Sequence, residues 1–371
     1  MSAPFSSDAS LAALETPVPL VDLDRLARNL ERMAVYAAEH RLALRPHVKT
    51  HKSPEVAAAQ LRLGAAGLAC ATPRELEVMS TVGGDLLLAH PPVGAPKVAR
   101  LLALPPEVRV TVALDSAEAV ETLAAAARAA GREVGVYVEL DLGMRRVGVP
   151  AVEDAVALAR LVGERAPLVW RGVNFYPGHI RAPVHEQDAA LAEVRAQVAR
   201  AREALERAGL PPAVVSGGST PTVWRSHETG VDEIRPGTYV YNDRTTAAVG
   251  ACAWDDCALT VLATVVSTAV PGQAVVDAGT KALGREPMRG VAGAAAEGYG
   301  ALLDRPEVAV TALSEEHGTL DLRHTDWRPV VGEQVRIVPN HVCIVVHLFD
   351  RVVGVREGRV EGGWAVAARG R

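Results

Sequence analysis

The chain has 371 residues, of which 49% are apolar and 22% charged, a balance that supports a large folded core and excludes a mostly disordered chain. Lys and Arg number 39 against 44 Asp and Glu, a net charge of −5 with no long basic run, which argues against a nucleic-acid-binding face. Aromatic side chains are only 4%, so Ala, Val and Leu must fill the core. Four cysteines (Cys70, Cys252, Cys257, Cys343) are too few in a chain this long for a disulfide scaffold and read as reduced thiols. The polar start MSAPFSSDAS has no basic segment followed by an apolar one, and no uncharged apolar run is long enough for a bilayer. The expectation is a soluble cytoplasmic protein with no membrane partner.

Up to residue 243, short β-rich runs alternate with Ala-, Leu-, Glu- and Arg-rich segments. The pattern predicts strands over 44–48, 67–70, 85–89, 109–114, 134–140, 169–176, 213–216 and 234–240, and helices over 24–40, 73–81, 117–130, 152–165 and 184–208. Thr72-Pro73-Arg74-Glu75 has capping-box spacing with Pro at the first helical position, and Ser53-Pro54 opens another helix in the same style. Gly64, Gly131 and Gly209 fit C-terminal caps. Eight strand–helix units predict an α/β fold, a closed (β/α)8 TIM barrel. The competing open sheet lacks its GxGxxG fingerprint after the first strand.

After residue 243 the texture changes to short β runs with Gly and Pro turns, at 258–269, 274–277, 334–338, 341–348 and 351–356. They predict a C-terminal antiparallel β domain, with segment 16–22 pairing onto it. The expected division is a barrel over 20–245 and a β domain over 246–371, joined by the N-terminal segment 1–19.

Three places carry chemistry. In Arg45-Pro46-His47-Val48-Lys49, side chains alternate across the strand, so Arg45, His47 and Lys49 share the inner face. Lys49 falls at the C-terminal strand end, where barrel enzymes place their chemistry, and an amine desolvated among cations suits covalent attachment to a carbonyl. His51 and Lys52 read as part of a basic surface loop. After the seventh strand, Gly217-Gly218-Ser219-Thr220 precedes a helix near Pro221, a pattern that makes an anion site from backbone N–H groups and the helix dipole. Arg235-Pro236-Gly237-Thr238 offers a second approach from the eighth strand. In the β domain, His341-Val342-Cys343 would put imidazole and thiol on one sheet face, a partial ligand set for zinc, with His347 in phase. Further polar candidates are Asp141–Arg146, Tyr176–His179, Asp277–Lys281 and Glu316-His317-Gly318.

The segment Arg45-Pro46-His47-Val48-Lys49-Thr50-His51-Lys52 resembles the cofactor-lysine segment of the D-threonine aldolase and eukaryotic-type D-serine dehydratase family. These are fold type III pyridoxal-phosphate enzymes with an alanine-racemase-like barrel and a C-terminal β domain. The resemblance implies that Lys49 holds pyridoxal phosphate through its amine. Arg146 would sit by the cofactor's phenolic oxygen and Tyr176 near its ring. Gly218, Ser219, Thr220, Gly237 and Thr238 would take its phosphate. Arg235 resembles the arginine that racemases place on the pyridine nitrogen. His341 and Cys343 would bind a divalent metal that grips the substrate's β-hydroxyl.

Aldolases of the family carry His-x-Asp at the metal pair and favour Mn²⁺ or Mg²⁺, whereas the dehydratases carry His-x-Cys and favour Zn²⁺. Cys343 therefore leans toward dehydration of a D-β-hydroxy amino acid to a keto acid and ammonia. The alternative is retro-aldol cleavage to glycine and an aldehyde, in which His179 would help deprotonate the hydroxyl. Ile344-Val345 replaces the Pro-Thr that usually follows the pair. A non-catalytic pyridoxal-phosphate-binding barrel and an amino-acid racemase are the readings from other classes. Family resemblance also implies a homodimer.

Overall fold

The computed structural model describes residues 10–371, so residues 1–9 of the expected N-terminal segment lie outside the described residues. The chain divides into two compact units. One holds Arg32–Ile180, Val184–Gly237 and Ala368–Arg371; the other holds the chain through Glu31, Arg181–Pro183 and Thr238–Ala367. Strand β1 (Val18–Asp22) and helix α1 (Leu23–Glu39) come first, and the division falls within α1.

The first unit is an eight-stranded parallel sheet. Its strands are β2 (Ala43–Leu44), β3 (Leu68–Cys70), β4 (Asp85–Leu88), β5 (Arg109–Leu114), β6 (Val134–Leu140), β7 (Leu168–Phe175), β8 (Val214–Gly217) and β9 (Glu233–Ile234). Hydrogen-bonded order runs β2-β9-β8-β7-β6-β5-β4-β3, which leaves β2 and β3 as the two edges. The residues after β2 join them. His47 bridges Ala69 in parallel register, Val48 N–H donates to Ala69 O (2.9 Å), and Ala69 N–H donates to Pro46 O (2.9 Å). These bonds close the barrel and remove its open edges. Strand β6 is buried at every position, as a parallel strand covered on both faces should be.

Between the strands run α2 (Pro54–Arg62), α3 (Pro73–Met79), α4 (Ala95–Leu102), α5 (Ala117–Ala129), α6 (Val152–Glu164) and α7 (Asp188–Arg207). Their starts follow side-chain capping: Ser53 accepts from Val56 N–H, Thr72 from Glu75 N–H and Ser116 from Ala119 N–H. The predicted and observed bounds of β5 and β6 coincide. The run 234–240 does not continue as a strand, because Pro236 supplies no N–H for the ladder and Thr238–Val240 turns into a short 3₁₀ helix.

The basic turn after Lys49 is not a surface loop. His51 is 1% exposed and Lys52 8%. The N–H groups of His51 and Lys52 both return to Val48 O, folding the turn inward. There Lys52 takes a left-handed conformation (φ 51°) and its Nζ donates to Glu75 Oε1. Glu75 Oε2 accepts from Ala71 N–H at 2.6 Å. An ammonium without that partner would be too costly to bury, so the charge of Lys52 is legible as a surface signal only until its partner is known.

The second unit is a nine-stranded sheet. It contains β1 with β10 (Leu259–Ser267), β11 (Gln273–Val276), β12 (Gly300–Leu302), β13 (Val310–Leu313), β14 (Gly318–Asp321), β15 (Gln334–Pro339), β16 (Arg351–Arg356) and β17 (Arg359–Ala365). Pairing is antiparallel except between β1 and β16, and β1 lies between β10 and β16. Leu20 of β1 packs there with Leu262, Val353, Val355 and Val360. Short helices α8 (Arg244–Ala248), α9 (Thr280–Leu283) and α10 (Val342–Leu348) complete the unit. The run 341–348 is thus a helix, not a strand. Its β-branched composition favours a strand, but Val342, Val345 and Val346 are the buried residues, and their i, i+3, i+4 spacing is a helical stripe. Among the described residues no helix is long and apolar enough to cross a membrane.

Two outcomes follow from the buried turn. Glu75→Ala leaves Lys52 charged and unpaired in the barrel wall and should cost about 3–5 kcal/mol of unfolding free energy, read from urea denaturation. Burial, then the charges of Lys49 and Arg235, hold His47 well below the ordinary imidazole range; burial also holds His51 down to about 3. The unfolded chain binds those protons below about pH 6.5 while the folded chain does not, so stability falls as pH drops from there toward 3. Each imidazole contributes up to about 1.4 kcal/mol per pH unit in that window. The denaturation midpoint should decline between pH 7 and 5, and less steeply in His51→Asn.

Candidate active site

Lys49 sits half-buried in the turn that closes the barrel, and its Nζ stands 5.5 Å from the centroid of the Tyr176 ring at the end of β7. The Arg146 guanidinium carbon lies 5.1 Å from the same ring. An aromatic face attracts both cations and fixes their positions. Arg146 is held by the loop after β6, where Asp141 accepts from the N–H groups of Gly143 and Arg145 and Asp115 accepts from Gly148 N–H, each at 2.9 Å. A Cβ on Gly143 would meet the His179 ring at 3.0 Å, so His179 lies over that loop. The structure therefore brings together Lys49, Tyr176 and Arg146, with His179 beside the Arg146 loop.

The glycines leaving β8 and β9 bring backbone close to its surroundings. A Cβ on Gly217 would fall 2.5 Å from the Phe175 ring, and one on Gly237 would fall 2.9 Å from Thr50 Oγ1 and 3.0 Å from His47 O. The N–H groups of Gly218, Ser219 and Gly237 donate to no partner among the described residues. A 3₁₀ helix, Thr220–Thr229, starts at that point, and Ser219 Oγ meets Thr222 Oγ1 at 3.1 Å. Unused N–H groups at a helix start form an anion cradle. Thr238 falls in the other unit, where its Oγ1 is 3.9 Å from Cys343 Sγ.

Below the barrel mouth lies a buried polar chain that reading the sequence did not assemble. Arg235 donates to Ser216 Oγ and, at 2.9 Å, to Phe175 O. Ser216 Oγ donates to Glu233 Oε1 (2.5 Å), Arg45 Nε donates to Glu233 Oε2 (2.7 Å), and Arg45 reaches Asp85 Oδ1 (2.7 Å). Glu139 and Asn174 also point into this interior. Burial raises the Glu139 carboxyl, with Arg235 and Arg146 opposing, and Glu139 Oε2 and Asn174 Oδ1 are buried without a hydrogen-bond partner. The available signal was a carboxylate within an otherwise apolar strand, Val134–Leu140.

In the second unit His341 is the N-cap residue of α10 and Cys343 lies in its first turn, with the two side chains in hydrogen-bond contact. They meet although the segment is helical. His347, four residues after Cys343, lies on the same helical face and is exposed. Asp243 is the residue that sequence reading missed. One of its oxygens caps α8 at Thr246 N–H, and the other meets His341 Nδ1 at 3.0 Å and accepts from Val342 N–H at 3.3 Å. Its only sequence signal is the Asp-x-x-Thr capping pattern. Among the described residues no group of three or more His, Cys, Asp or Glu could by itself hold a metal ion.

Both implied groups can be tested against these residues. A phosphorylated aldehyde needs an amine and an anion cradle, and Lys49 with the free N–H groups of Gly218, Ser219 and Gly237 provides them. A zinc-type ion needs imidazole and thiolate donors and a carboxylate that fixes the imidazole tautomer from behind. His341, Cys343 and Asp243 supply those types, with the remaining ligands left to water or substrate. The residues fit both groups.

The chain matches the family described as "Alanine racemase, N-terminal domain" over residues 21–245 and that described as "Putative serine dehydratase domain" over residues 258–355. It is 34% identical to a 3-hydroxy-D-aspartate aldolase of Paracoccus denitrificans (strain Pd 1222), across 96% of this chain and 93% of that one. It is 37% identical to a D-threo-3-hydroxyaspartate dehydratase of Delftia sp. (strain HT23), across 90% and 92%. A cysteine-to-alanine mutant of a D-threo-3-hydroxyaspartate dehydratase, solved in the metal-free form, superposes with a TM-score of 0.86 at 32% identity, covering 98% of this chain and 100% of that chain. D-threonine aldolase from Filomicrobium marinum superposes with a TM-score of 0.90 at 34% identity, covering 99% of each chain. Fold, barrel lysine and full-length similarity agree: this chain belongs to the family of alanine-racemase-like, fold type III pyridoxal-phosphate enzymes that includes D-threonine aldolases and D-serine dehydratases, and it is a pyridoxal-phosphate-dependent lyase.

Proposed function

We propose that the protein dehydrates a D-β-hydroxy amino acid to a keto acid and ammonia, using pyridoxal phosphate and a divalent metal, with zinc preferred. The observation that carries this reading is the His341–Cys343 pair backed by Asp243. A thiolate is a soft donor that favours zinc over the Mg²⁺ or Mn²⁺ suited to an all-oxygen or His-carboxylate set. The Delftia relative, a dehydratase, supports the same branch.

In this reading Lys49, Arg146, Tyr176, Arg235, Gly218, Ser219, Thr220 and Gly237 hold the cofactor, and His341 and Cys343 hold the metal. Bound pyridoxal phosphate supplies an electron sink for the carbanion at the substrate's α-carbon, and a divalent metal supplies Lewis-acid activation of a hydroxyl leaving group. Lys49 Nζ is the base that takes the α-proton, and the Tyr176 face keeps that nitrogen in place. Gly218, Ser219 and Gly237 direct their N–H groups at the phosphate. Asp243 holds His341 with its Nδ1 protonated, which leaves Nε2 as the ligand atom. Departure of the β-hydroxyl leaves an enamine that hydrolyses to keto acid and ammonia.

Retro-aldol cleavage is the second reading, and the aldolase relatives from Paracoccus and Filomicrobium favour it. It uses the same residues, with a base, His179 being the candidate beside the Arg146 loop, taking the hydroxyl proton instead.

Incubation with D-serine, D-threonine and 3-hydroxy-D-aspartate, with and without chelator, separates the two. We expect ammonia and keto acid, lost on thorough chelation and restored by zinc. Glycine and an aldehyde would place the protein in the aldolase branch, and turnover that survives chelation would remove the metal from the scheme. Lys49→Ala should abolish the cofactor's absorbance band, whereas Cys343→Ala should keep the band and lose turnover. Asp243→Asn should weaken zinc affinity by about tenfold to a hundredfold in a competition titration.

A further inference from the structure

The barrel has a second opening, at the N-terminal ends of its strands. Barrel interiors are ordinarily filled by layers of bulky side chains. Here the first inward position of β6 is Gly135, and a cavity of about 610 Å³ opens in front of it. That volume is in the range of small-molecule sites, about 300–1,000 Å³. A Cβ at position 135 would stand 2.7 Å from Thr111 Oγ1 and 3.1 Å from Arg171 Cγ, so both side chains converge on the space that glycine leaves. Tyr137 lines the same cavity two residues further along the inward face of β6.

Four arginines line this cavity, and they are not equally satisfied. Arg45 is matched by Glu233 and Asp85, and Arg109 by Asp85 at 3.0 Å. Arg132 donates to the carbonyls of Leu102, Leu104, Pro105 and Val108, and makes no ion pair among the described residues. Arg171 makes one long, solvent-exposed ion pair, with Glu133 at 3.7 Å, and none of its N–H groups makes a hydrogen bond among the described residues. Tyr137, a residue only 4% exposed, and Thr111 both line the cavity, and neither hydroxyl makes a hydrogen bond among the described residues. Burial pushes the Tyr137 phenol upward in pKa, so it remains a donor at neutral pH. A guanidinium held only by one long ion pair, and two hydroxyls with no hydrogen bond among the described residues, thus face a half-apolar space walled by Leu102, Leu104 and Val108.

We propose that this cavity binds a small organic carboxylate, with its oxygens taken by the Arg171 guanidinium and the Tyr137 and Thr111 hydroxyls and its short apolar body laid against Leu102, Leu104 and Val108. A guanidinium recognises a carboxylate through paired N–H donors, and hydroxyls with no protein partner are free to donate to its oxygens. The site lies at the other end of the strands from Lys49 and is independent of which reaction the enzyme performs.

The test is calorimetric titration of the full-length holoenzyme with butyrate, with 1-butanol and inorganic phosphate as parallel arms. We expect saturable butyrate binding and none of butanol. Tyr137→Phe and Arg171→Met should each weaken butyrate by about tenfold or more without shifting the melting temperature or the cofactor's absorbance band. Absence of saturable butyrate binding overturns the proposal, as does butyrate affinity unchanged in both variants, which would place the anion at the barrel mouth instead. Phosphate binding more tightly than butyrate and lost in the same variants would overturn the carboxylate class.

Discussion

The barrel closes at the same residues that carry its reactive amine, and much else in the first unit depends on that coincidence. Strand β2 is two residues long and cannot hold an edge by itself. Closure falls to Arg45, His47 and Val48, which bond to Ile234 on one side and to Ala69 on the other, directly or through adjoining prolines. Lys49 follows at once, so any looseness in the closure is looseness in the amine. The Lys52–Glu75 pair then ties the end of the turn to the start of α3, and Glu75 also holds Ala71 N–H. Two adjacent strand ends are thereby locked through one carboxylate. A turn built this way trades the entropy of a flexible lysine segment for a fixed nitrogen, the trade that preorganised chemistry requires.

The interior of this barrel is polar where an apolar filling is the norm. Asp85, Arg45, Glu233, Ser216 and Arg235 form a continuous run of hydrogen bonds inside the barrel. Charges in such a place gain little net stability over a hydrophobic filling, but each becomes costly if its neighbour is lost. The chain therefore reads as a device for placing Arg235 beneath the barrel mouth and not as a source of stability. It also explains why Glu139 and Asn174 tolerate unmatched oxygens: they border a region already organised around guanidinium groups.

Much of the fold was legible in the sequence because barrels announce themselves through repetition. The bounds of β5, β6 and β16 could be read directly, since each is an apolar run between turn residues. Helix starts at Ser53, Thr72 and Ser116 were visible as caps. Lys49 could be singled out because strand ends carry chemistry, the resemblance pointed to Arg146 and Tyr176, and the structure places the three side by side. What was not legible depended on partners distant in sequence. His51 and Lys52 looked solvent-facing because Glu75 was not known to face them. The helix Val342–Leu348 looked like a strand because its valines prefer one, and only burial on a three-and-four spacing overrode that preference. Asp243 was missed because nothing local distinguishes a capping aspartate from one whose second oxygen holds a histidine.

Strand β1 occupies a central place in the second unit, between β10 and β16, although it precedes the whole barrel in chain order. Its two neighbours are made only after the whole barrel has been synthesised. For most of its synthesis, then, this apolar segment, Val18–Asp22, has no sheet to join, and its edges resemble those that recruit stray strands. Strands β10–β17 pair among themselves, but β1 must close a loop that spans the whole barrel before it gains any sheet bond, and contacts so distant in sequence form slowly. The second unit is thus topologically stitched: it takes its central strand from ahead of the barrel and the others from after it, so no fragment that omits the barrel carries all of that unit's strands, whereas β2–β9 of the barrel lie in one continuous stretch.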